Sequence, residues 1–133
     1  MGIALMDPYS PSHAFGGLTF YLLGFDLLTS FILHTAFELF ENYIWVQRGG
    51  YCIKMPFLNH ADCKTKPDTV VNIIGDTVFF IAGYLIGKYL IHKPYLSWLH
   101  WSIKLVIIGI IVPLGYSLAT TNILGYLPAY EHE

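Results

Sequence analysis

Residues 34–45 read His-Thr-Ala-Phe-Glu-Leu-Phe-Glu-Asn-Tyr-Ile-Trp and lie inside an apolar run, 27–46, that is long enough for a membrane-spanning helix. At about 100° per residue, His34, Glu38, Glu41, Asn42 and Trp45 fall within an arc of roughly 100°. An imidazole, two carboxylates and an amide oxygen on one stripe are donors for a divalent cation. Intramembrane chains of the same residue types also serve as proton relays. A charge at the bilayer centre costs on the order of 2.5–3.5 kcal/mol, so these groups must face protein, water or a cation. A second apolar stretch carries Asp68, Asn72 and Asp76 at i, i+4 and i+8, again on one face. His13 opens a third. Neither Glu38 nor Asp76 stands at a helix end.

Composition says where such residues must work. Of 133 residues, 55% are hydrophobic and only 12% charged, against about 25% charged in a soluble domain, so an integral membrane protein is expected. Its length allows one domain of four or five spans. A net charge of −2 with no basic run argues against nucleic acid as a partner. Residues 1–10 lack both a basic n-region and an apolar h-region, so no cleavable signal peptide is expected. Ten Tyr, nine Phe and three Trp exceed what four lipid-facing helices need and point to further contacts with protein chains.

The elements that must position these groups follow from the punctuation of the chain. The fold class expected is all-α: a single four-helix transmembrane domain with helices at about 11–26, 28–46, 68–91 and 97–119 and one long loop at 47–67. Ser10 before Pro11 is a hydroxyl cap followed by proline at the first helical position. Gly16-Gly17, and Gly75, Gly83 and Gly87 on the third helix, invite close helix approach. A tight turn falls within 24–30, with Asp26, Thr29 or Ser30 as the next cap. Pro113 is expected to kink the fourth helix. Lys104 is expected to snorkel towards the surface.

Antiparallel connectivity then sets depth. Glu38 lies about eight residues before the end of the second helix, and Asp76 about eight after the start of the third. Both therefore sit roughly 12 Å below the loop-side surface. Glu41, Asn42 and Asn72 are shallower, Asp68 and His13 lie near the mouth, and His34 is deepest at roughly 18 Å. Each has a plainer reading: His13 lines the first turn, Asp68 caps the third helix, and Asn42 and Asn72 join helices by hydrogen bonds. Glu38 and Asp76 then share a proton.

Cys52 and Cys63 both fall in the long loop. A disulfide between them staples the loop and places it, with both termini, outside the cytoplasm of a multi-pass protein of the cell membrane. The lysines and arginine of that loop argue mildly for the opposite orientation. A loop metal site of Cys52, His60 and Cys63 matches no zinc spacing.

Three blocks, Ser10-Pro11-Ser12-His13, Glu38-x-x-Glu41-Asn42 and Asp68-Thr69-x-x-Asn72-x-x-x-Asp76, resemble in order and spacing an uncharacterised bacterial family of small membrane proteins classed as a domain of unknown function. The likeness covers about residues 7–83 and extends loosely to VanZ-like proteins. Phe37 stands where the family has Trp, and Lys66-Pro67 precedes Asp68 in place of Gly. The resemblance implies that His13, Glu38, Glu41, Asn42, Asp68, Asn72 and Asp76 form one site. It implies no reaction.

Three functions are compatible with these residues. A divalent ion, held by Glu38, Glu41, Asp76, His34, His13, Asn42, Asn72 and Asp68 or a subset, activates water to hydrolyse a lipid-linked substrate. Alternatively the chain is a non-catalytic subunit of a larger membrane assembly, such as a respiratory or metallo-oxygenase complex. The third is an oligomeric proton or ion channel.

Overall fold

The computed structural model describes residues 5–6, 10–53 and 62–110, with side chains throughout except at 51–53 and 62–63. The chain is mostly helical. Helix α1 spans Ser10–Leu22 and ends where Gly24 turns to φ +81°, the left-handed conformation that glycine adopts without strain. The Phe25 N–H reaches back to the Phe20 carbonyl (3.2 Å) and Gly24 N–H to that of Tyr21 (2.9 Å), closing a Schellman turn. Asp26 caps helix α2, Leu27–Leu39, by accepting from the Thr29 N–H at 2.9 Å and the Thr29 hydroxyl at 2.6 Å.

Those bonds, the hydroxyl's first, hold the Asp26 carboxyl below the usual aspartate range. The cap's contribution is present at neutral pH and is lost as the pH falls through that lowered value. Asp26→Ala should fray the first turn of α2 at neutral pH, read as faster amide exchange at Thr29 and Ser30.

Past Leu39 the chain stays helical but widens into a π segment, Phe40–Trp45, then tightens into a 3-10 turn, Val46–Arg48, stopped by Gly49 at φ +106°. The physical reason lies in Asn42. Its side-chain amide donates to the Glu38 carbonyl (2.9 Å), the acceptor that its own backbone N–H would use in an α-helix. The wider turn keeps Glu38, Glu41 and Asn42 together on the inner side, with Phe40, Tyr43, Ile44 and Trp45 outside.

The long loop departs from purely helical structure. Strands β1, Tyr51–Ile53, and β2, Asp62–Lys64, pair antiparallel with Tyr51 opposite Lys64, Cys52 opposite Cys63 and Ile53 opposite Asp62. Helix α3 spans Val70–Ile91, and its cap is Thr69, whose hydroxyl accepts from Asn72 N–H at 3.3 Å. Helix α4 is described over Trp101–Ile110. Pro113 lies outside the described residues.

Helices α1 and α3 run parallel in close backbone contact. A Cβ on Gly17 would overlap the Phe80 carbonyl, and one on Gly83 would overlap the Ala14 carbonyl, so each backbone lies in a notch of the other. Helix α2 crosses both antiparallel. Away from the loop, Phe20, Tyr21, Phe80 and Tyr84 form an apolar core, and Tyr84 donates its hydroxyl to the Phe25 carbonyl at 2.8 Å. Lys104 does not reach into solvent alone: its ammonium donates to the Ser97 carbonyl at 3.0 Å.

The distribution of polarity is inverted relative to a water-soluble domain. Buried among the described residues are Ser10, Ser12, Thr19, Ser30, His34, Glu38, Glu41, Asn42, Lys64, Asn72 and Asp76. Exposed are Leu28, Ile32, Phe37, Ile44, Val70, Ile74, Val78 and Leu90, with many other large apolar side chains. Of the four spans expected, Val70–Ile91 alone among the described residues is a helix long and apolar enough to cross a membrane. Helix α1 has 13 residues, and α2 has 13 before it widens. The Schellman turn at Gly24 shortens the first, and the side-chain bond of Asn42 changes the winding of the second, which stays helical to Arg48.

Candidate metal centre

Glu38 and Asp76, expected at one depth, do converge, and His13, expected near the mouth, joins them. His13, on the first turns of α1, lies between Glu38 of α2 and Asp76 of α3. Its Nδ1 is 3.5 Å from Glu38 Oε1 and its Nε2 3.6 Å from Asp76 Oδ2. His34, one turn before Glu38, presents Nδ1 at 3.9 Å from the same Glu38 oxygen. The two imidazoles stack with centroids 5.3 Å apart, and Phe80 closes the His34 side edge-on at 4.3 Å. One ring nitrogen each of His13 and His34 and one Glu38 oxygen lie within 4.8 Å of one another, so the three can hold a metal ion.

Burial makes this arrangement costly as it stands. His34 is 6% exposed and Glu38 1%, yet both His34 nitrogens and Glu38 Oε1 have no hydrogen-bond partner among the described residues. An unmet buried polar group costs about 1–3 kcal/mol.

Surrounding groups hold the cluster in place. Ser10, expected as a cap, is the first helical residue and donates its hydroxyl to Asp76 Oδ1 at 2.9 Å. Asn42 is fully engaged as a strut: its amide donates to Glu38 Oε2 (3.3 Å), and its oxygen accepts the Asp68 N–H (2.7 Å). Asn72 is buried on the same face of α3 as Asp76.

Asp68 is not the cap of α3. It pairs with Lys64, whose ammonium also reaches Glu41 Oε2 at 2.8 Å. Lys64 is the residue that sequence reasoning missed. Burial works against its charge, but Glu41 and Asp68 outweigh that and hold the ammonium above the ordinary lysine pKa. The available signal was its place four residues before Asp68, at the mouth where the loop meets the helices. Glu38, Glu41 and Asp68 also bring one carboxylate oxygen each within 4.8 Å of the others. Six of the eight expected residues therefore divide into an inner group, His13, His34, Glu38 and Asp76, and a loop-side pair, Glu41 and Asp68, joined by Lys64, while Asn42 braces Glu38 and Asp68. Comparison with protein-family models, with curated proteins and with solved structures yields no match to this chain.

Proposed function

We propose that this is a multi-pass membrane protein that holds one divalent transition-metal ion through His13, His34 and Glu38. The carrying observation is that both buried His34 nitrogens and Glu38 Oε1 have no hydrogen-bond partner among the described residues. Two ligand atoms about 2.0–2.2 Å from one metal stand roughly 3–4 Å apart. The separations of 3.5 and 3.9 Å fit a shared ion and are too long for hydrogen bonds. Two imidazoles with a carboxylate suit zinc, manganese or ferrous iron better than magnesium or calcium. Asp76 Oδ2 faces the far nitrogen of His13 at 3.6 Å, so its charge favours the ring orientation that turns Nδ1 towards the ion. Three protein ligands leave room for a water that the metal would acidify, and hydrolysis of a lipid-linked substrate is the reaction class this supports.

The membrane reading is supported by the polar interior and apolar exterior, and by the unbroken helical path through 27–48, roughly 33 Å long. Membership of the small membrane-protein family that the three blocks resemble is part of the same proposal.

Elemental analysis of protein purified in mild detergent tests it: about one ion per chain is expected, lost in Glu38→Gln. Metal retained by that variant, or none bound after reconstitution, refutes the reading. Co-isolation with unrelated chains would instead favour an accessory subunit.

The loop is proposed to be stapled and extracytoplasmic, together with both termini. Residues directly opposite in an antiparallel pair have Cα atoms roughly 4.5–5.5 Å apart, within disulfide range, and Cys52 stands opposite Cys63. Unreduced, denatured protein should show no free thiol. Two titratable thiols would contradict this.

A further inference from the structure

We infer that the outer face of the π segment holds one anionic phospholipid, its phosphate on Arg48 and an acyl chain along Phe40, Ile44 and Trp45. The inference rests on the membrane reading and is independent of the metal centre, which lies on the inner side of the same segment.

The widened turn shapes the groove. At about 100° per residue, Phe40 and Trp45 would point roughly 140° apart on an α-helix. In the π segment their rings meet edge-on, with centroids 5.9 Å apart. Phe40, Ile44, Trp45, Arg48 and Gly50 together line a cleft of about 290 Å3. Widened turns of this kind recur at functional sites. Arg48 is exposed and makes no ion pair among the described residues, so its guanidinium is free to meet an anion there.

The cleft has the length and polarity of a lipid. Arg48 closes the helical path 27–48 at the loop-side surface, and Phe40 lies about eight residues, roughly 12 Å, below it. A cation thus stands at headgroup depth above apolar side chains at acyl depth, with Trp45 in the interfacial belt between them. A helix from another chain fits less well: one turn, about 10 Å across and about 5.4 Å long, occupies roughly 400 Å3, more than the cleft offers. A guanidinium takes a phosphate through two parallel hydrogen bonds. A lipid with no cation in its headgroup leaves the phosphate charge for Arg48 to neutralise, a preference of about fivefold for one basic residue at the surface.

Brominated acyl chains quench a tryptophan that they touch. The full-length chain has three tryptophans, so Trp98→Phe and Trp101→Phe leave Trp45 as the reporter, in phosphatidylcholine vesicles. Brominated phosphatidylglycerol should half-quench Trp45 at about one-fifth of the mole fraction that brominated phosphatidylcholine needs. Arg48→Gln should erase that difference. Lys66→Gln, which removes an exposed cation that does not line the cleft, should keep it. Equal quenching by the two lipids with Arg48 in place overturns the site and leaves the membrane reading standing. A preference that survives Arg48→Gln, or that Lys66→Gln removes equally, overturns the assignment to this cleft. No quenching by either lipid removes the membrane reading as well.

Discussion

Replacing His34 by leucine should make the metal-free protein more stable and at the same time strip it of metal. Both ring nitrogens of His34 are buried with no hydrogen-bond partner among the described residues. A group so placed carries a desolvation cost of about 1–3 kcal/mol that an apolar side chain of similar size does not. Leucine also keeps the contact with Phe80, which packs against the His34 ring at 4.3 Å. Thermal unfolding after chelation should therefore shift upward by several degrees for a gain of about 1 kcal/mol. Metal affinity should fall by at least about 100-fold, because one of three ligands is gone. A purely structural histidine predicts the reverse sign: its loss would lower the unfolding temperature of the chelated protein. The two roles thus differ in direction, which a measurement of modest precision resolves.

Gly83→Leu should weaken metal binding at least about tenfold without touching a ligand. An added side chain at Gly83 collides with the Ala14 carbonyl, and the reciprocal contact of Gly17 with Phe80 leaves α1 no room to slide. Overpacking of this kind costs about 1–3 kcal/mol and forces the helices apart. His13 precedes Ala14 on α1, while its partners Glu38 and Asp76 stand on α2 and α3. Displacing α1 by about 1 Å is enough to spoil ligand geometry, which tolerates only small errors. At least a tenfold loss of affinity is expected. Gly109→Ala is the control, since its added Cβ meets no described atom within 4 Å. Wild-type affinity in Gly83→Leu would mean that the α1–α3 notch does not position His13.

The approach of Glu38 to Asp76 was legible because counting residues from a shared surface is nearly pure geometry once helices alternate in direction; the same count set His13 near the mouth with Asp68, whereas it lies between Glu38 and Asp76 and stacks on His34. The glycine contacts were legible for a similar reason: small residues at helical spacing leave little else to explain them. The π segment was not. It depends on whether the Asn42 side chain or its backbone takes the Glu38 carbonyl, and both patterns suit the same residues. Lys64 was hidden because it arrives on a hairpin, where no periodicity fixes which way a residue points. Asp68 and Thr69 are both good caps, and the choice fell to Thr69 once Lys64 engaged Asp68. The expected end of the first helix overran because Gly24 acts locally, against a continuous apolar pattern, whereas the second runs on helically to Arg48 with only its winding changed at Asn42.

Pulsed electron paramagnetic resonance of Mn2+ bound at one equivalent separates a metal held by two imidazoles and Glu38 from one held by carboxylates. Couplings from two directly bound histidine nitrogens are expected, reduced to one in His34→Leu at saturating Mn2+. Bound Mn2+ with no nitrogen coupling would place it among the carboxylates alone and rule out the histidine site.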